Sequence, residues 1–263
     1  MRRLHLVELE DLDWWPVVIR DLATDYLGFM ESRFQLHRPI VPLLANALRR
    51  ANTNRIIDLC SGSGGPIEAL VGELRRRGIE VMVTLTDRFP NVRSMMNVSS
   101  RSAGAITFEC DPIDAREVPD RLNGFRTLFN SFHHFKPEDA TAVLTSAVRN
   151  RQPIGIFEIP LRALWAVAAL LLTPLYVWLA TPFIRPFSWQ RLFWTYLVPL
   201  VPLMCLWDGV VSTLRAYESD ELYALTEQFR VEYSWEYGRV ALGSTPGSLT
   251  YLIGIPSPRI AGA

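Results

Sequence analysis

A chain of 263 residues fits one large α/β domain, or a domain with an insert, and can bury a sizeable core. Its 27 basic and 27 acidic residues balance, so the charge offers no footprint for nucleic acid or for an acidic membrane surface. Cys60, Cys110 and Cys205 lie far apart without CxxC or Cys/His spacing, which argues against a structural zinc site or a disulfide framework and suits a reducing cytoplasm. No metal site is expected. The N-terminal stretch carries two arginines but no apolar core, so no signal peptide is expected, and Lys136, the only lysine, reflects compositional bias.

Residues 1–52 read as a helical lead-in: a Trp14-Trp15-Pro16 turn, an amphipathic stretch through Tyr26, Leu27 and Phe29, and a second helix carrying Ile40, Val41, Leu44 and Leu48. From Arg55 the pattern changes to short apolar runs alternating with helices. Strands are predicted at 55–59, 80–86, 106–110, 126–130 and 153–158, with helices at 67–77, 91–102 and 137–150. Continuous apolar strands imply burial on both faces, hence a parallel sheet covered by helices in a doubly wound α/β architecture. Residues 163–184 and 192–207 then contain no charged side chain. Ordinary patterning returns with Glu218-Ser-Asp-Glu221, a helix start for 222–229, and residues 231–240 and 248–255 read as a closing antiparallel hairpin. The expected organisation is a helical cap (1–52), a ligand-binding core (53–160), an apolar helical hairpin inserted after the fifth strand (161–207), and a last helix and strands completing the core (208–263).

The segment Asp58-Leu-Cys60-Ser61-Gly62-Ser-Gly64-Gly65-Pro66 joins the first strand to a helix through a Gly-rich turn. Such a turn brings backbone close to a ligand, and the helix start beyond it offers free N–H groups to an anion. The third glycine of a G-x-G-x-x-G phosphate loop is misplaced, and Asp58 repels a pyrophosphate. A zwitterion suits the loop better: its carboxylate meets N–H groups and its ammonium tolerates Asp58. Asp87 ends the second strand, 23 residues after Gly64, where an acid takes ribose hydroxyls. Asp111 and Asp114 follow the third strand, and either can accept from an adenine amino group.

Together these residues resemble class I S-adenosylmethionine-dependent methyltransferases. Asp58 to Gly64 resembles motif I with Cys60 in place of its first glycine. Asp87, followed by Arg88, matches the ribose-binding acid, and Asp114-Ala115 resembles the adenine motif, with Asp111 a competing alignment. The segment Leu128-Phe-Asn130-Ser-Phe-His133-His134-Phe resembles the stretch beside the reactive methyl. The resemblance implies a Rossmann-like, mostly parallel seven-stranded sheet ordered 3-2-1-4-5-7-6, with S-adenosylmethionine as cofactor. The chain lacks the D/N-P-P-Y/F segment of amino-methylases that act on DNA bases, so no nucleic-acid substrate is expected.

In-line methyl transfer is mostly a matter of positioning, and an oxygen or carbon acceptor also benefits from a base near neutrality. His133 or His134, at the carboxyl edge of the sheet, is the expected base, with Glu158 in reserve. A helix over 163–184 is about 33 Å long against a hydrocarbon layer of about 30 Å. The second run is shorter and interrupted by Pro199 and Pro202. The expectation is a hairpin dipping into one leaflet at the cytoplasmic face of the inner membrane, with Arg185 and Arg191 near headgroups. The soluble alternative is a cytoplasmic protein in which these helices form a lid or a homo-oligomer interface. Either way the acceptor is expected to be a lipophilic small molecule or lipid. The competing function is a non-catalytic nucleoside-sensing or scaffold protein attached to the membrane.

Overall fold

The computed structural model describes residues 1–243 and 247–258. Five parallel strands form from the short apolar runs: β1 (Arg55–Leu59), β2 (Met82–Leu85), β3 (Ile106–Phe108), β4 (Phe125–Phe129) and β5 (Ile154–Glu158). β4 and β5 are buried along their whole length, as continuous hydrophobicity requires of central strands covered on both faces. β6 (Tyr233–Ala241) and β7 (Ser248–Pro256) pair antiparallel, and β7 sits between β5 and β6. The described residues thus form a seven-stranded sheet in the order 3-2-1-4-5-7-6. The predicted hairpin loop falls partly on residues 244–246, and the C-terminal end on 259–263, both outside the described residues.

The helices in chain order are α1 (Val17–Phe34), α2 (Ile40–Ala51), α3 (Ile67–Arg76), α4 (Val92–Arg101), α5 (Pro137–Arg149), α6 (Leu164–Leu170), α7 (Thr173–Ala180), α8 (Trp189–Leu192), α9 (Leu200–Arg215) and α10 (Ser219–Thr226). One sheet face is covered by α2, α3 and α4, with Leu44, Leu70, Leu74 and Met95 packed on Ile56, Val83 and Ile106. The other is covered by α5 and α10, with Val143, Leu144 and Leu222 on Ile57, Leu128 and Ile156. α10 starts with a reciprocal capping box between Glu218 and Glu221, the start signal expected there.

The apolar run 163–184 is not one helix. α6 and α7 meet at 43°, because Pro174 lacks an N–H and its ring clashes with the carbonyl four residues back. The second run breaks at Val198-Pro199: a π-helical turn, Phe193–Leu197, meets α9 at 75°. Among the described residues no single helix is long and apolar enough to cross a membrane; these two bent pairs qualify by length and composition alone.

A third core lies off the sheet. Ile19, Leu22, Ala23 and Tyr26 of α1 pack against Val177 and Ala180 of α7 and Val201, Met204 and Cys205 of α9. The N-terminal 52 residues therefore divide, α2 joining the sheet core and α1 joining the insert. The insert thus shares an apolar core with α1. Ile19, fully buried between α1 and the insert, is expected to destabilise the protein by about 2–5 kcal/mol as Ile19→Ala, read as a lower urea midpoint at unchanged slope.

Candidate active site

At the end of β1 the chain turns sharply. Cys60, Gly62, Gly64 and Gly65 all have positive φ, at 56°, 53°, 95° and 37°. Cys60 holds the left-handed conformation that a glycine adopts without strain, and it stands where the resembling motif has one. A Cβ on Gly64 lies 3.1 Å from Val98 Cγ2, so space and φ both demand glycine there. The turn is tied to its neighbours by carboxylates. Asp58 Oδ1 accepts from Thr127 Oγ1 at 2.6 Å, and its Oδ2 accepts from Ser61 Oγ at 2.6 Å. Asp87 Oδ2 accepts the Gly62 N–H at 2.7 Å and Oδ1 the Phe89 N–H at 2.7 Å. One carboxylate beyond β2 thus sets the shape of the loop beyond β1.

The loop opens into a cavity of about 430 Å³ at the carboxyl edge of the sheet, the size of a cofactor site. Asp58, Cys60, Ser61, Gly62, Asp87, Arg88, Asp114, Ala115 and Asn130, all expected at the site, line it. Gly64 is not in the wall but shapes the loop. Asp111 is solvent-exposed and outside the lining, so of the two acids after β3 it is Asp114 that meets the cavity. Asp114 is gripped by Arg116, with Nη2 to Oδ2 at 2.6 Å, a bond that holds its carboxyl below the usual range.

The facing wall is α1, which presents Arg20, Asp21, Thr24, Leu27, Gly28 and Glu31. None of these was predicted, because the sequence of α1 carries no motif. Glu31 accepts from Asn130 Nδ2 at 2.6 Å, while Asn130 Oδ1 accepts the Ile159 N–H at 2.8 Å. Burial pushes Glu31 up to about 7 against the Asn130 hydrogen bond, and burial pushes Asp58 up to about 7 as well, with Asp87 and Glu31 nearby.

A strap, residues 3–12, closes the remaining side and contributes His5, Glu10 and Asp11. It is pinned by α9: Asp208 accepts the Leu9 N–H at 2.7 Å, Trp207 Nε1 donates to the Val7 carbonyl at 2.9 Å, and Arg215 Nε donates to the Leu6 carbonyl at 2.7 Å. Arg20 Nη2 donates to the Leu12 carbonyl at 2.7 Å, joining strap to α1. Asp208 and Arg215 therefore act on the cavity through the strap.

The histidine pair splits. His133 and Glu158 are buried behind the wall, with His133 Nδ1 2.6 Å from Glu158 Oε2. Glu158 Oε1 accepts the Ser131 and Phe132 N–H groups at 2.9 and 2.7 Å, which orders the β4 turn. Burial alone would raise Glu158, but His133 and these N–H groups hold it below the usual range. His134 lines the cavity with both nitrogens on carboxylates: Nδ1 is 2.9 Å from Asp11 Oδ1 and Nε2 3.2 Å from Glu10 Oε1. Burial opposes its charge, yet Glu8, Asp11 and Glu10 raise it well above the usual histidine value. The expected base is corrected on this geometry: His133 and Glu158 do not reach the cavity, and His134 meets it as an imidazolium that has no lone pair to offer.

No family model matches the chain, and no curated protein matches it in sequence. Among solved structures it is similar to the S-adenosylmethionine-dependent methyltransferase SibL in its apo form, at 12% identity over 84% of this chain and 56% of that one, with a TM-score of 0.50. It is also similar to magnesium protoporphyrin IX methyltransferase from Synechocystis PCC 6803 with bound SAH, at 12% identity over 84% of each chain and a TM-score of 0.48. An O-methyltransferase family protein from Burkholderia thailandensis is 16% identical over 87% of this chain and 58% of that one, with a TM-score of 0.48. At these identities the likeness is one of fold. Taken with the strand order, the fold is that of the class I methyltransferases.

The raised carboxyls make ligand binding pH-dependent. Below about 7 the free protein holds a proton on Glu31, and a ligand ammonium favours the ionised form. Affinity for S-adenosylhomocysteine is therefore expected to rise with pH through about 7, roughly tenfold from pH 6 to pH 8 for each such group. In Glu31→Gln calorimetry is expected to show a tenfold shallower rise.

Proposed function

We propose that this chain is an enzyme that transfers a methyl group from S-adenosylmethionine to an acceptor with an apolar body and a polar reacting group, at a membrane surface. The observation that carries the reading is the loop Cys60–Gly65, shaped by Asp87 and opening on a cavity of about 430 Å³ in a class I methyltransferase sheet. The residues present suit the cofactor: Gly62 and Gly65 present bare backbone in the cavity wall, and the wall is rich in carboxylates. Asp114 and Ala115 would hold the adenine end, Asp87 the ribose hydroxyls, and Glu31, Asn130 and Asp58 the ammonium end. The cofactor supplies an electrophilic methyl. The chain supplies position, exclusion of water by α1 and the strap, and a carboxylate surround for positive charge.

The membrane part of the reading rests on the insert. Its inner faces are buried on α1, while Leu164, Leu171, Phe183, Trp189 and Leu197 are 76%, 66%, 69%, 76% and 73% exposed. A helix apolar all round needs an apolar medium on its outer side, and a patch of this kind marks a contact surface. Bent pairs suit a hairpin lying in one leaflet of the cytoplasmic face. Arg191, expected near headgroups, is instead buried on Asp25 at 2.8 Å, leaving Arg185 as the exposed loop cation. The insert does not line the cavity; α1 stands between them, so the insert is no direct lid.

Asp87→Asn is expected to weaken S-adenosylhomocysteine binding about tenfold or more, since bonds to a charged acceptor contribute about 1.5–3 kcal/mol, with no binding of NAD by either form. Unchanged affinity in calorimetry removes the cofactor assignment. Separately, full-length protein is expected to sediment with liposomes. The triple variant Leu164→Glu, Leu171→Glu, Phe183→Glu is expected to release it about 10²-fold, at about 1 kcal/mol per side chain, with S-adenosylhomocysteine affinity kept. Protein that ignores liposomes and runs as a stable dimer assigns the patch to an oligomer interface instead.

A further inference from the structure

At and behind the cavity wall, Glu8, His133 and His134 form a cluster that methyl transfer does not use. We propose that Glu8, His133 and His134 bind one divalent ion of the zinc class, which clamps the strap to the end of β4. A carboxylate oxygen of Glu8 and one ring nitrogen of each histidine lie within 4.8 Å of one another. His133 Nε2 is 3.8 Å from Glu8 Oε1, and His134 Nδ1 is 3.4 Å from Glu8 Oε2. The edge of a tetrahedral zinc site is roughly 3.3 Å, so a small contraction completes the set.

Three features point to an ion. Glu8 is 0% exposed, and among the described residues neither of its oxygens receives a hydrogen bond. Arg215 Nη1 comes within 3.0 Å of Oε1, but it bonds Asp11 Oδ2 at 2.7 Å. The second feature is the orientation of His133. Glu158, an acceptor of two backbone N–H groups, lies 2.6 Å from His133 Nδ1, so the other ring nitrogen, Nε2, is the one turned to the Glu8 carboxylate at 3.8 Å. A carboxylate on the far nitrogen is how ligating histidines are oriented. The third is charge: Glu8, Glu10, Asp11 and Glu158 crowd one permanent cation, Arg215. Asp11 Oδ1, 2.9 Å from His134 Nδ1, is placed to serve as a further oxygen ligand. Two imidazoles and a carboxylate without thiols suit zinc and reject magnesium. Cysteine spacing could not reveal such a site, since its ligands are 125 residues apart in the chain.

The test uses chelator-stripped full-length protein dialysed against zinc or magnesium, with elemental analysis. One zinc per chain and no magnesium is expected. Glu8→Gln should lower zinc affinity at least tenfold, and Glu158→Gln 10–100-fold, while Asp111→Ala leaves it unchanged. Zinc should also slow amide hydrogen exchange across residues 5–11 in the unmutated chain, a readout that does not depend on any variant folding. No bound zinc, strap exchange indifferent to zinc, or a folded Glu8→Gln that binds as tightly as the parent overturns the proposal and leaves a cluster held by protons and Arg215.

Discussion

Ile19, Leu22 and Tyr26 of α1 are buried against Val177, Val201 and Met204 of the insert, and the position of the whole outer cavity wall follows from that contact. Each of these larger side chains contributes about 1.5–3 kcal/mol on leaving water. The opposite side of the same helix presents Arg20, Thr24, Gly28 and Glu31 to the cavity. α1 is therefore polar where it faces ligand and apolar where it faces α7 and α9. Its placement cannot be changed on one side without changing the other. The strap obeys the same logic: Asp208, Trp207 and Arg215 on α9 hold its backbone, and the strap carries Glu10 and Asp11 to the cavity.

The balanced charge of the chain conceals an uneven distribution. Glu10, Asp11, Glu31, Asp58, Asp87 and Asp114 converge on one cavity. Several share little water, which is why Glu31 and Asp58 are pushed up to about 7 and Asp87 is also raised. Such a surround favours a cationic ligand, because positive charge relieves both burial and mutual repulsion. It also explains the state of His134, whose proton is held by three carboxylates. Adjacent histidines on one short turn thus acquire different environments. His133 points inward to Glu158 and Glu8, and His134 points to the strap and the cavity.

The sheet and the Gly-rich turn were readable from residues alone, for a local reason. Strands such as Arg55–Leu59 and Ile154–Glu158 are continuous apolar runs bounded by polar turns, and their burial on both faces is a property of the run itself. Asp58, Gly62, Asp87 and Asp114 are set by their distance from strand ends, so chain order alone brings them to one edge. Likewise Pro199 predicts a bend that the structure places at Val198-Pro199, whereas Pro174 breaks a run whose length alone suits a single span into α6 and α7.

What tertiary structure alone decided is everything that joins distant segments. Glu31 reaches the site because α1 is pressed onto the sheet edge by an insert that begins more than a hundred residues later, and nothing in its own neighbourhood marks it. Arg191 turns inward to Asp25 because α1 and α8 meet there. Glu8 meets His133 because α9 pins the strap. Local sequence determines which backbone conformations and which buried faces are available; only the packing of those faces determines which charges meet, and the states of Glu31 and His134 follow from that meeting.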